Sequence, residues 1–250
     1  MCLILSLNFF TQVNASEINS SHLKLGILLF DNFDQLDVTG PFEIFHEFPN
    51  TTVYFISNSL QPLKSVQGIQ ISPDLTFDSA PQMDILFVPG GFGITNVIEN
   101  NSSFIHFIQK QSPKLKYLSS VCTGSLILGF AGELNGYKAT SHWLAKKYLY
   151  QFGAIPVNKR VVVDRNRITG AGVSAGFDLA LQLGGILFGK TFVESQELLT
   201  EYNPKPLYGG VTYKTASQKS KKELEKEMGD IIKSRDLFFE KISTDKSTSK

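Results

Sequence analysis

The sequence predicts an α/β domain with a parallel-rich sheet and helices on both faces. Three observations carry that prediction. Apolar runs such as LKLGILLF (23–30), TTVYFIS (51–57) and DILFV (84–88) read as strands buried on both sides, as a parallel sheet requires. Strand and helix patterns alternate from residue 23 to residue 188, the rhythm of a layered α/β fold. Turn signals separate them, among them Pro89-Gly90-Gly91 and Asn135-Gly136.

The elements follow in order. LKLGILLF opens the domain, and the loop DNFDQLDVTGP (31–41) puts Asp31, Asp34 and Asp37 at the carboxyl end of that strand, the edge where open parallel sheets bind ligands. Pro41 suits the first turn of a helix continuing as FEIFHEF, since its missing N–H has no helical partner there. After the Thr51–Ser57 strand, Leu63–Val66 and Ile69–Ser72 read as a hairpin around Gln67-Gly68. The Asp84–Val88 strand runs into Gly90 and Gly91, and one helix is expected over Thr95–Gln111. A strand over Tyr117–Val121 leads through Cys122 into a helix opened by Thr123, Gly124 and Ser125 and ended by Gly132. An amphipathic helix is expected from Thr140 to Gly153, then short strands at Ile155–Val157, Arg160–Asp164 and Arg167–Thr169, and an apolar helix over Phe177–Phe188.

The tail differs in character. Asn203-Pro204-Lys205-Pro206 stops a further helix, and Lys219–Lys241 is charged, with Leu224, Met228, Ile231 and Ile232 spaced as a narrow apolar stripe. A surface-docked helix is expected there, followed by disorder in STDKSTSK. The chain thus divides into an extension (1–22), the α/β domain (23–215) and a charged helical tail (216–250). The extension has a short apolar core with Val13 and Ala15 at signal-cleavage spacing, the pattern of a weak secretory signal, but it lacks a basic start and is read as a disordered or loosely docked extension.

Composition excludes several classes. With 42% hydrophobic and 19% charged residues in 250, the chain is neither fibrous nor largely disordered. A formal charge of +1 gives no global attraction to nucleic acid or anionic membranes, and no run is long enough to span a bilayer. The two cysteines, Cys2 and Cys122, form no disulfide framework and no paired metal motif. No glycine-rich phosphate loop is present, so neither cofactor nor metal is expected, and a reducing, cytoplasmic setting suits a working thiol.

Cys122 draws the chemistry. A cysteine at a strand-to-helix turn meets unpaired backbone N–H groups and the positive end of the helix, which favours thiolate over thiol and makes it a candidate nucleophile. The competing reading is a small buried hydrophobe, the commonest role of a free cysteine. Gly90 and Gly91 allow either close backbone approach to a ligand, with amides for an oxyanion, or a plain tight turn.

The segments LLFDNFDQLDVTGPFEIF, DILFVPGGFG, LSSVCTGSLILGFAGELNGYKATSHW, FGAIPV, ITGAGVSAGFDLAL and EYNPKP, in that order, resemble the ThiJ/PfpI superfamily, over about residues 23–215. The resemblance implies a flavodoxin-like, class I glutamine amidotransferase-like fold, and it is nearest the isocyanide hydratase branch. It implies Cys122 as nucleophile, Asp37 as the acidic residue facing it, and Thr123 as the site residue after the cysteine. Gly90, Gly91 and Gly124 would hold substrate or developing negative charge. The implied reaction is hydration of an isocyanide to an N-substituted formamide by a cofactor-free hydro-lyase, in a homodimer acting on a small electrophile.

Two other readings stand beside it. A glyoxalase or deglycase would use the same cysteine on reactive aldehydes, and a redox sensor would oxidise it without turnover. Where peptidase-like members carry a histidine after the cysteine, this chain has Thr123, and His142 reads as a packed helix-start residue, so proteolysis is disfavoured. The tail lacks paired recognition-helix patterning, which argues against DNA binding.

Overall fold

The computed structural model describes residues 22–248. Cys2 and residues 1–21 of the expected extension lie outside the described residues. In chain order the elements are β1 (Leu23–Leu28), α1 (Gln35–Phe45), β2 (Thr51–Ser57), a small antiparallel hairpin of β3 (Leu63–Lys64) and β4 (Gln70–Ile71), β5 (Leu75–Thr76) and β6 (Ile85–Val88). Helices α2 (Ile94–Asn100) and α3 (Ser102–Gln111) return the chain to β7 (Tyr117–Val121), which feeds α4 (Gly124–Phe130). Then come β8 (Lys138–Ala139), a 3₁₀ segment over Lys146–Phe152, β9 (Ile155–Pro156), β10 (Val161–Asp164) and β11 (Arg167–Gly170). The helices α5 (Ala175–Phe188), α6 (Lys190–Leu199) and α7 (Gln218–Thr248) complete it.

The main sheet runs β10-β11-β7-β6-β1-β2-β5, parallel at every step except β10 with β11. Its central strands are buried on both faces, as their unbroken apolar runs require: Leu25, Ile27, Leu28, Ile85, Leu86, Phe87 and Val88 are all inaccessible. The β1–α1–β2 unit and the β6–α2–α3–β7 unit leave the sheet centre in opposite directions. Right-handed crossovers therefore put α1 on one face, where α5 packs against it, and α2, α3 and α4 on the other. The reversal falls between β1 and β6, so the carboxyl ends of β1, β6 and β7 converge on one crevice. This is the flavodoxin-like α/β arrangement expected from the sequence.

Several local expectations are corrected. Helix α1 starts at Gln35, not at Pro41, because Asp34 caps it by accepting from the Leu36 N–H at 3.1 Å. Asp37 therefore sits in the first helical turn rather than on a loop, and Pro41 lies inside the helix. The helix expected over Thr95–Gln111 breaks at Asn101, whose side chain accepts from Phe104 N–H and caps α3. No regular helix starts at Thr140. Thr140 N–H donates to Thr169 Oγ1 at 2.9 Å, and Ser141 Oγ and His142 N–H both donate to the Cys122 carbonyl, so this stretch is held in the sheet edge. Helical turns appear only at Lys146, and Gly153 ends them in the left-handed region with a φ of 70°. Residues 243–248, expected to be disordered, continue α7.

Helix α7 is held more firmly than a charged surface helix needs. Phe239 is inaccessible, stacked on Tyr148 with ring centres 4.5 Å apart and edge-on to Phe152. Asp236 pairs with Lys147 at 2.5 Å and accepts from the Tyr148 hydroxyl. Burial of one phenylalanine is worth about 3 kcal/mol or more by the cost of truncation, so Phe239 is the principal anchor. Phe239→Ala should release α7 while the sheet stays folded. Hydrogen exchange should show amides of 218–242 losing protection with the β1, β6 and β7 amides little changed; loss of protection everywhere would mean α7 is integral to the core.

Candidate active site

Cys122 occupies the turn between β7 and α4 with a φ of 55°, a left-handed conformation that costs a side-chain-bearing residue on the order of 1–3 kcal/mol. The surroundings over-determine it. Its N–H donates to Gly170 O at 3.1 Å, and its carbonyl accepts from Ser141 Oγ at 2.8 Å, Ser125 Oγ at 3.2 Å and His142 N–H at 3.4 Å. The turn also demands Gly124, since a Cβ there would lie 2.3 Å from the Val88 carbonyl oxygen.

Asp37 reaches the same point from α1. It is inaccessible to solvent, and its Oδ2 accepts the Gly90 N–H at 2.8 Å. Its Oδ1 is buried without a hydrogen-bond partner, and the side chain that acts on the carboxyl is the Cys122 thiol. Gly90 makes the approach possible, because a Cβ at that position would stand 2.6 Å from Thr123 N and Oγ1 and 2.8 Å from Asp37 Oδ2. Gly91, at a φ of 146°, donates its N–H to Thr123 Oγ1 at 3.0 Å. The amides of Gly90 and Gly91 are thus engaged in holding Asp37 and Thr123. The backbone donor on the sulfur is Thr123 N–H.

Electrostatics correct the expected thiolate. Burial is the largest effect on Cys122, followed by the Asp37 charge, and together they hold the thiol well above its ordinary pKa despite the Thr123 N–H. Asp37 is pushed up to about 7, chiefly by burial and then by the Asp34 charge, with the Gly90 and Cys122 hydrogen bonds opposing. The resting pair therefore holds a thiol beside a carboxyl poised near neutrality. That arrangement suits proton transfer at the moment of attack.

A cavity of about 200 Å³ opens above the sulfur, lined by Cys122, Thr123, Gly91, Phe92, His142 and Val173, with Asp34, Val66, Gln67 and Leu144 around it. Met228 and Arg235 of α7 also line it. His142 is lowered to about 4, by burial first and the nearby Arg235 charge second, so its ring is neutral. It lies in a turn rather than at a helix start. Sequence reasoning passed over Arg235, although a signal was available. The apolar stripe Leu224, Met228, Ile231, Ile232 continues through residues 235 and 239, so an arginine falls where a buried residue was due.

Among the described residues no group of three or more His, Cys, Asp or Glu could hold a metal ion, and no helix is long and apolar enough to cross a membrane.

Residues 24–184 match the DJ-1/PfpI family. The chain belongs to that family. An isonitrile hydratase from Pseudomonas putida is 38% identical over 221 residues, covering 88% of this chain and 96% of the relative. An HTH-type transcriptional regulator from Pseudomonas aeruginosa is 31% identical over 69% of this chain, but the match spans only 48% of the regulator's own length. A crystal structure of a ThiJ/PfpI family protein from Pseudomonas syringae superposes with a TM-score of 0.83 at 37% identity, covering 88% of this chain and 91% of that one. The DJ-1/PfpI match ends at residue 184, so α7, which lines the cavity, lies outside it.

The electrostatics of Asp37 predict a pH signature. The folded carboxyl keeps its proton up to about 7, whereas an aspartate free in solution loses it near 3.8, so the folded chain binds more protons between those values. Its contribution to stability is therefore greatest at the acid end of that window and is lost as pH rises through it. Asp37→Asn should unfold at a higher temperature than the parent near pH 8, with the margin narrowing toward pH 5. A margin independent of pH in thermal melts would mean that the buried carboxyl ionises normally.

Proposed function

We propose that this DJ-1/PfpI protein is a cysteine-dependent hydratase that converts isocyanides, R–N≡C, to N-substituted formamides. The observation that carries this reading is the buried pairing of Asp37, pushed up to about 7, with the Cys122 thiol. The isonitrile hydratase relative, matched along nearly its whole length, supports the choice of substrate.

The chemistry follows from the pair. The terminal isocyanide carbon is electrophilic toward sulfur and basic toward a proton. Sγ bonds to it while the carboxylate of Asp37 accepts the thiol proton and passes it to the same carbon, leaving a thioimidate, R–N=CH–S–Cys. Asp37, again a carboxylate, orients a water, takes one of its protons as oxygen bonds to the carbon, and passes that proton to nitrogen. The C–S bond then breaks as the new hydroxyl gives its proton through Asp37 to the departing sulfur, and R–NH–CHO leaves. Thr123 N–H steadies negative charge on sulfur at each end of the cycle. A carboxyl poised near neutrality gives and accepts these protons with little driving-force penalty, which a solvated aspartate could not do.

An assay of an alkyl or aryl isocyanide beside methylglyoxal tests the reading, with Cys122→Ala as the blank. Formamide formation should depend on Cys122, exceed any aldehyde consumption, and fall about 10²–10⁴-fold in Asp37→Asn. Aldehyde consumption without formamide would transfer the protein to the glyoxalase class. Inertness to both, with peroxide adding oxygen to Cys122 by intact mass, would favour a redox sensor.

A further inference from the structure

Among the described residues, Arg235 is a buried charged side chain that the fold and the Cys122–Asp37 pair do not account for. It is only 7% exposed, and it lines the cavity above Cys122. Among the described residues, no hydrogen bond or ion pair reaches its guanidinium. The carboxylate acting on it, Asp236, is already held by Lys147 and Tyr148, and Asp34, which shares the cavity wall, is held by the Leu36 N–H and Gln67 Nε2. The other groups acting on it are the Tyr148 hydroxyl and the Cys122 sulfur, while His142 nearby is neutral. A largely buried guanidinium with no protein acceptor leaves its donors free for a group that enters the cavity it lines.

The remaining walls narrow what that is. Beside Asp34, Gln67 and the neutral His142, the walls are the apolar Val66, Phe92, Leu144, Val173 and Met228, and the volume matches that of about seven waters, so the occupant is compact, with an apolar part and a polar end toward Arg235. Arginine presents a planar fork that fits a carboxylate bidentately. We propose that Arg235 of α7 is a specificity-determining residue that binds a carboxylate on the substrate, and that the preferred substrates are small isocyano carboxylates, hydrated to N-formyl amino acids. This rests on the hydratase reading. The atoms balance as before: sulfur and a proton add to the isocyanide carbon, water supplies oxygen and hydrogen, and the thiol leaves. The carboxylate itself is unchanged.

Isocyanoacetate and its methyl ester carry the same reacting group and differ in charge, which makes them the probe pair. The parent enzyme should show a kcat/KM roughly tenfold to a hundredfold higher for the carboxylate, the range expected of a charge-assisted hydrogen bond. Arg235→Gln should erase that preference mainly by losing the carboxylate, the ester changing far less, and Arg235→Lys should restore part of it. Equal rates for the two substrates in the parent would overturn the proposal, and so would an equal fall for both in Arg235→Gln, which would place Arg235 at the reacting centre instead. Hydrogen exchange over 218–242 verifies that α7 stays docked in each variant.

A second arm is independent of turnover. Calorimetry with Cys122→Ala should show N-formylglycine binding more tightly than its methyl ester, with the difference abolished by adding Arg235→Gln. If that held while no isocyanide was hydrated, the carboxylate site would stand and the hydratase reading would fall. Hydration of neutral isocyanides with no carboxylate preference in either arm would do the reverse.

Discussion

The interaction on which the rest depends is the one between two groups that burial makes uncomfortable, the Asp37 carboxyl and the Cys122 thiol. Neither is ionised cheaply where it sits: burial raises both, and the Asp37 charge raises the thiol further, while the thiol's hydrogen bond partly offsets the rise at Asp37. To bring them together, three strand ends must meet. β1 leads to Asp37, β6 leads to Gly90, and β7 leads to Cys122, so the order β7-β6-β1 at the sheet centre is a requirement of the site as well as of the core. Gly90 is the keystone of that meeting. It touches both partners' supports, and any side chain there would push Asp37 and Thr123 out of position.

The strain at Cys122 and the burial of Asp37 both cost stability, and the surroundings offset them. Four hydrogen bonds tie the Cys122 backbone to three different parts of the chain, and the double-sided burial of β1 and β6 supplies apolar stabilisation directly beneath. A resting thiol, rather than a thiolate, is the consequence of this design. In the proposed mechanism the nucleophile is generated only as Asp37 takes the proton during attack, and a thiol held in this way is less reactive toward incidental electrophiles than a thiolate.

Much of the architecture was legible because parallel strands buried on both faces leave continuous apolar runs, as in LKLGILLF and DILFV. The elbow at Cys122 was legible from a cysteine between a strand and a small-residue helix. The start of α1 was not, because Pro41 suggested a helix beginning and the cap at Asp34 competed with it unnoticed. The thiol's electrostatics were misjudged for a physical reason as well. Helix-end and N–H effects are local in sequence, whereas desolvation and the Asp37 charge come from segments far away in the chain. Arg235 was hidden by the same distance: a lysine-rich tail reads as solvated until it is seen lying over the cavity.

That tail is a helix, and this has a geometric consequence. Met228, Arg235 and Phe239 are separated by seven and four residues, so they lie within about 40° of one another around the helix axis. Cavity wall, guanidinium and anchor are therefore locked to a single angular phase. An insertion before Gln218 merely lengthens a connecting loop, but one residue added between Arg235 and Phe239 would turn the two about 140° apart, and the helix could then seat its anchor or present its arginine but not both.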